Sequence, residues 1–247
     1  MRGIFYCEGI AKNYEDVPVI EDVDIELHEG EFISLLGPSG IGKTTLFNIL
    51  SGVDIPDKGK VSFHGEDITG ISGKVSYMLQ KDLLLEYRTV LDNVILPLLI
   101  RGEKKQIARK QALEFFPQFG LSGFEKKYPT QLSGGMRQRA SLLRTCMTHN
   151  KITLLDEPFS ALDAITRRQM HYWYSEIANS MGLSTLLITH DVEEALILSD
   201  TVYIMDGRPG KITGRIDVLP RRPREHSFSI SVEFAQQKQK ILDALGL

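Results

Sequence analysis

Three short, mostly apolar runs punctuate the chain, and each stops at a residue that can do chemistry. Phe32-Ile33-Ser34-Leu35-Leu36 runs into Gly37, Ile152-Thr153-Leu154-Leu155 into Asp156 and Glu157, and Thr185-Leu186-Leu187-Ile188 into Thr189 and His190. Short apolar runs without polar alternation are what strands buried on both faces look like, and they predict a parallel sheet covered by helices. Ligands of such open α/β sheets bind beyond the carboxyl ends of the strands, so all three clusters are expected on one edge. Between the runs the period lengthens to that of a helix. Leu162, Ile165, Met170, Trp173, Ile177 and Met181 share one stripe ending at Gly182, and Met136, Ala140, Leu143 and Met147 share another after Gly134-Gly135. Both stripes read as core packing rather than as a cofactor surface.

The first thirty residues, interrupted by turn-like breaks, predict short antiparallel strands; Lys211 to Val218 predicts a hairpin-like segment and Val232 to Leu247 a helical tail. The stretch from Lys81 to Asn150 has helical periodicity, several charges and no strand of the apolar type. It reads as a helical subdomain (81–150) inserted into an α/β core formed by residues 1–80 and 151–220, with a tail at 221–247. No internal repeat is evident.

Composition alters this picture little. The 247 residues suffice for such a core with one insertion, and 29 Lys+Arg against 32 Asp+Glu, a net charge of −3, give no electrostatic reason to expect a nucleic-acid binder. Hydrophobic residues at 42% and charged residues at 25% exclude a disordered or fibrous chain. Cys7 and Cys146 belong to no CxxC or Cys/His cluster, which argues against a disulfide framework or zinc site and for a reducing compartment. The most apolar stretch, Val90 to Ile100, contains Asp92 and Asn93 and falls short of the ~20 residues that cross a bilayer. No signal-peptide core precedes the first charges. The chain is therefore expected to be intracellular and to enter no membrane by itself. His28, His64, His149, His171 and His226 lack ligand-like spacing and read as surface or packing residues, and the basic run Arg221-Arg222-Pro223-Arg224 reads as a solvated tail.

Chemistry enters at Gly37-Pro38-Ser39-Gly40-Ile41-Gly42-Lys43-Thr44, which fits GxxxxGK[ST] between a predicted strand and the helix pattern Leu46, Ile49, Leu50. Glycines let successive amides turn inward around phosphate oxygens, and the following helix offers its positive end. Lys43 is expected at the β- and γ-phosphates and the Thr44 hydroxyl on Mg²⁺. Asp156, at the end of the second run, is expected to hold Mg²⁺ through water, and Glu157 to orient and deprotonate an attacking water. A guanine-specific protein would carry NKxD; Asn150-Lys151-Ile152-Thr153 fails at its fourth position, which favours adenine.

Leu132-Ser133-Gly134-Gly135-Met136-Arg137-Gln138-Arg139 offers a second hydroxyl-and-glycine helix start, hence a second anion cradle. One nucleotide needs only one phosphate loop, so this cradle makes sense if it addresses the γ-phosphate bound by another copy. At these residues the chain resembles the ATP-binding cassette ATPases, with LSGGMRQR as signature motif beside GPSGIGKTT, Gln80, ITLLDEP, Ser160-Ala161-Leu162-Asp163 and His190, in family order from Tyr14 to His190.

The resemblance implies an α/β phosphate-loop NTPase of the RecA-like type: a mainly parallel sheet core, an N-terminal antiparallel β subdomain and an inserted helical subdomain. It places Tyr14 on adenine, residues Gly37 to Thr45 around the phosphates, and Gln80 on Mg²⁺ and water, sensing the membrane partner. His190 falls on the γ-phosphate, and Asp163 in the loop that couples two half-sites. Two ATP molecules would lie between two copies, each held by Lys43 and Thr44 of one and Ser133, Gly134 and Gly135 of the other, with Glu157 activating water. Lacking a membrane span, the cassette would act on separate permease subunits, and through them on a solute-binding protein, at the cytoplasmic face of the inner membrane. Gln80 to Leu85 with Arg88 to Val94, and Gly207 to Ile212 leading to Leu219 to Arg224, are similar to ATPases of the nitrate, sulfonate and taurine importer group, including thiamine-precursor relatives. That implies a small anionic or heterocyclic nutrient. The group's Pro-Trp after the leucines is replaced by Glu86-Tyr87, and its Pro before the second strand by Lys151. A non-transport cassette ATPase acting on ribosomes or nucleic acid, and a non-hydrolysing nucleotide sensor, are the alternatives.

Overall fold

The computed structural model describes residues 2–160, 162–222 and 224–246, and of His226 only the backbone. Ala161 and Pro223, each part of a motif quoted above, and the side chain of His226 lie outside the described residues. The chain forms β1 (Phe5–Tyr14), β2 (Val17–Leu27), β3 (Phe32–Leu36), α1 (Lys43–Leu50), β4 (Lys58–Phe63), β5 (Glu66–Asp67) and β6 (Ser76–Met78). Then come α2 (Val90–Val94), α3 (Leu96–Ile100), α4 (Lys105–Phe115), α5 (Gly134–Cys146), β7 (Ile152–Asp156), α6 (Ala164–Ser180), β8 (Ser184–Thr189), α7 (Val192–Leu198), β9 (Thr201–Asp206), β10 (Lys211–Asp217) and α8 (Val232–Ala244).

β3, β7 and β8 are buried at every position, and the alternation hidden in their sequences separates two cores. Phe32, Leu36, Leu155 and Leu187 join the helices α2 to α7 on one face, while Ile33, Leu35, Leu154, Leu186 and Ile188 pack with α1 and the antiparallel sheet on the other. Adjacent strand residues point to opposite faces, so an all-apolar strand serves both cores. The six-stranded sheet has the order β10-β9-β3-β8-β7-β6, parallel except for the edge pair β9–β10; the second sheet, β2-β1-β4-β5, is antiparallel.

The predicted mainly parallel core is therefore present, and the first thirty residues do form antiparallel strands, though β1 and β2 are long, at 10 and 11 residues, rather than short. β4, β5 and β9 go beyond the sequence reading. On the α6 stripe, Ile165 departs from expectation: it is 74% exposed in the helix's first turn. Among the described residues no helix is long and apolar enough to cross a membrane.

The basic run is not the solvated tail expected of it. Arg222 lies against Asp200, with Nη2 2.8 Å and Nε 3.0 Å from Oδ2, and also donates to the Gly30 carbonyl. Arg224 donates to the carbonyls of Pro220, Ile197 and Val218, and burial pushes its pKa down to about 10. Distant acceptors (Asp200, Gly30 and Ile197) and near ones (Pro220 and Val218) together make the run structural. Asp200 also accepts from the Phe32 amide, so it anchors the start of β3. Burial alone would raise its carboxyl; hydrogen bonds and charge from Arg222, together with the Phe32 amide, hold it below the usual range. A depressed carboxyl contributes stability above its unfolded pKa of ~3.9 that is lost as pH falls through the folded value. Asp200→Asn, which leaves the guanidinium without its counter-charge, is expected to cost about 3 kcal/mol at pH 7. Its deficit should shrink on acidification below pH ~4, which denaturant melts across pH 3 to 7 will check.

Candidate functional site

The loop after β3 is shaped by close approaches. A Cβ at Gly37 would collide with the Met205 carbonyl; at Gly42, where φ is +104°, it would lie 2.5 Å from Ile20 Cγ2. Gly42 caps α1 without a side-chain hydrogen bond, so the first-turn amides stay available to an anion. Lys43, buried, curls back so that Nζ donates to the carbonyls of Gly37 at 2.8 Å and Pro38 at 2.7 Å. Burial lowers its pKa, and the charges of Glu157 and Asp156 work against that shift.

The strand ends bring the remaining groups to the same edge. Thr44 Oγ1 donates to Asp156 Oδ2 at 2.9 Å. Burial above all pushes the Asp156 carboxyl up, the Thr44 hydrogen bond and Lys43 oppose this, and the charge of Glu157 adds to the rise. Glu157 has φ of +45°, a costly conformation for a residue with a Cβ. Its amide donates to the Ile188 carbonyl at 3.0 Å, tying it to the end of β8. Its carboxylate accepts from Gln80 Nε2 at 3.0 Å through Oε2 and lies 3.2 Å from His190 Nδ1 through Oε1. Three segments distant in sequence thus converge on one carboxylate above the phosphate loop.

The cleft here encloses about 340 Å³, lined by Val19, Ser39, Gly40, Gly42, Lys43, Thr44, Thr45, Gln80, Asp156, Glu157 and Ile188. The expected loop residues divide: Gly37 and Pro38 supply carbonyls to Lys43, whereas the Ile41 side chain packs into the core. Tyr14 is not in the cleft wall; its hydroxyl donates to Asp54 Oδ2 at 2.6 Å, and that bond raises its pKa, with Thr45 acting the other way. Val19 and Ile188 were not anticipated; nothing in their type signals a role, only their position where β2 and β8 meet the loop. Thr44, Asp156 and Gln80 offer a hydroxyl, a carboxylate and an amide carbonyl, a hard-oxygen set that suits Mg²⁺, which keeps waters and shares phosphate oxygens. Among the described residues no group of three or more His, Cys, Asp or Glu is placed to hold a metal.

Ser133, Gly134 and Gly135 do not line this cleft. Ser133 caps α5, its hydroxyl accepting from the Met136 amide at 3.3 Å, and the first turn carries no acidic residue. Asp163 likewise caps α6, accepting from the amides of Ile165 and Thr166 at 3.1 Å. The segment after Gln80 is held from within. Buried Asn93 bonds the amide and carbonyl of Leu85 and the carbonyls of Arg88 and Thr89, while Arg144 donates to the carbonyls of Leu83 and Asp82. Pinned in this way, the segment exposes Leu83 and Tyr87.

A phosphate loop, a strand-end Asp-Glu pair and a glutamine and histidine meeting on that glutamate define a nucleotide-hydrolysing P-loop protein. The family is the ABC transporter family, matched over residues 20–160, and the chain belongs to it. It is similar to the formylaminopyrimidine import ATP-binding protein ThiZ of Halalkalibacterium halodurans, 45% identical over 91% of this chain and 88% of that protein. It is also similar to the aliphatic sulfonates import ATP-binding protein SsuB 1 of Rhodococcus jostii, 41% identical over 96% of this chain and 91% of that one. Among solved structures, the dimeric post-hydrolysis state of an ATP-binding cassette bound to ADP and Pi matches with a TM-score of 0.76 at 26% identity, over 88% of this chain and 100% of that chain. The chain is a P-loop ATPase that binds and hydrolyses ATP.

Proposed function

We propose that this ATPase powers an ABC importer, working as a pair of copies on separate membrane permease subunits. The observation that carries the reading is Glu157, held between Gln80 and His190 beside the Thr44–Asp156 pair. Lys43 and the loop amides take the β- and γ-phosphates, Tyr14 the adenine, and Ser133, Gly134 and Gly135 of a second copy the far side of the γ-phosphate. Thr44, Asp156 and Gln80 would hold Mg²⁺, which would supply charge neutralisation for the phosphoryl group. Glu157 orients the water and accepts its proton, and His190 fixes the glutamate. Asp163, at the α6 start, lies beside the partner's cradle. Residues 81–150 are the helical subdomain of a core formed by 1–80 and 151–220, and Leu83 and Tyr87 face the permease, which holds the cassette at the cytoplasmic face of the membrane. The relatives' names point to a small anionic or heterocyclic cargo; a solute-binding protein would deliver it.

The test is purification of the tagged chain from its own cells in detergent, with Mg²⁺-ATP turnover measured on the product. An integral-membrane protein is expected to co-purify with an active ATPase. Ribosomes or nucleic acid in its place would establish the non-transport alternative, and absent turnover a nucleotide sensor.

A further inference from the structure

The site described so far leaves one buried ionisable pair unused. His171, on α6, and Glu194, on α7, are each only 4% exposed, with His171 Nε2 3.4 Å from Glu194 Oε1. Among the described residues neither ring nitrogen of His171, nor Glu194 Oε1, has a hydrogen-bond partner. Such under-satisfied buried groups are costly and uncommon. An apolar pair of similar volume would pack this contact without the penalty, so packing alone does not account for it.

Its surroundings supply a reason. The other oxygen of Glu194, Oε2, accepts from Thr189 Oγ1 at 2.5 Å, and the same hydroxyl accepts from the Asp191 amide at 2.9 Å. Thr189 and Asp191 flank His190. On its other side the His171 ring meets the Phe159 ring edge-on, with centroids 5.1 Å apart, and Phe159 follows Glu157 by two residues. The pair therefore touches both segments that frame the Glu157–His190 contact: the chain leaving Glu157 and the chain carrying His190.

We propose that His171 is a positioning residue for hydrolysis, acting through Glu194 and Thr189 to hold His190 over Glu157 and through Phe159 to hold the segment leaving Glu157. The 3.4 Å approach is short enough that a small shift of α6 against α7 would complete the hydrogen bond, as catalytic hydrogen bonds often tighten only in the loaded enzyme. This inference rests on the reading of Glu157 and His190 as the hydrolytic pair.

His171→Phe keeps a ring for Phe159 and removes the nitrogen that faces Glu194 Oε1. Its kcat for ATP is expected to fall about tenfold to a hundredfold, the range for small misplacements of catalytic groups. KM and ATP affinity should stay within about twofold, because Lys43, Thr44 and Asp156 are untouched. His171→Gln, which places a donor towards Glu194 but no ring against Phe159, should recover part of the rate lost in His171→Phe. In single-turnover assays His171→Phe combined with His190→Ala should be no slower than His190→Ala alone, since a residue acting through His190 has nothing left to act on. A kcat within twofold of wild type, or a double variant in which the two losses multiply, overturns the proposal. Should His171→Phe fail to fold, Glu194→Gln, which keeps the Thr189 bond but loses its charge towards His171, carries the same expectation and the same refutation. Glu157→Gln, assayed in parallel, separates the two readings. If that variant turns over normally, the hydrolytic assignment itself has failed. If it is inactive while His171→Phe is normal, only the present inference falls.

Discussion

Glu157→Gln is expected to cut ATP hydrolysis by about a hundredfold to ten-thousandfold, the contribution of a positioned general base, with ATP binding retained. The geometry makes this substitution clean. An amide at this position keeps an oxygen to accept from Gln80 Nε2, and its second atom can still pair with His190 Nδ1, whose donor or acceptor role follows its tautomer. The left-handed backbone at φ +45° is as strained for Gln as for Glu, and the amide bond to Ile188 is unaffected. What disappears is the capacity to take a proton from water. Lys43 and Thr44 are untouched, so on the proposed roles the variant should accumulate as an ATP-bound dimer, visible as an ATP-dependent shift in size-exclusion chromatography. Turnover within tenfold of wild type would remove Glu157 from the role of base.

How much of this was legible beforehand follows from which interactions are local. The phosphate loop is contiguous, its φ requirements are written as glycines, and it stands between strand and helix as its spacing predicts. β3, β7 and β8 were readable because burial on both faces leaves no polar residue to break the run. β9 is buried nearly throughout, yet it ends at Asp206-Gly207, a turn without chemistry, and a reading keyed to chemical strand ends passes over it. The contacts on Glu157 come from residues 77 and 33 positions away, so only the resemblance to cassette ATPases could join them. The basic run is a related case: Asp200, Gly30 and Ile197, which hold Arg222 and Arg224, are distant in sequence, and a local view shows only charge. Asn93 is a further case, since a lone asparagine in an apolar stretch gives no hint that it bonds four backbone groups of the segment before it.

Gly135→Asp is expected to abolish turnover, by about a hundredfold or more on the scale of losing one transition-state donor, without weakening ATP binding by the single copy. The substitution is mild for the fold. A Cβ at Gly135 meets Thr166 Cγ2 at 3.3 Å and Leu162 Cδ2 at 3.8 Å, a tolerable crowding. A carboxylate in the first turn of α5, where none now stands, complements the helix dipole rather than opposing it. The monomer should therefore melt close to wild type. For function the same charge is expected to be ruinous: on the two-copy reading it would occupy the positive end of α5 that a γ-phosphate bound by the other copy would need, and repel it. Because Ser133 to Gly135 lie outside the Lys43–Glu157 cleft of their own chain, the loss should be of dimerisation and hydrolysis only. Combined with Glu157→Gln, the variant should bind ATP yet show no ATP-dependent dimer. Unimpaired turnover would show that the cradle takes no part in hydrolysis, and an equal loss of ATP affinity in the isolated copy would mean that the cradle serves its own nucleotide. A loss of rate with affinity preserved is the pattern that two half-sites on two molecules require.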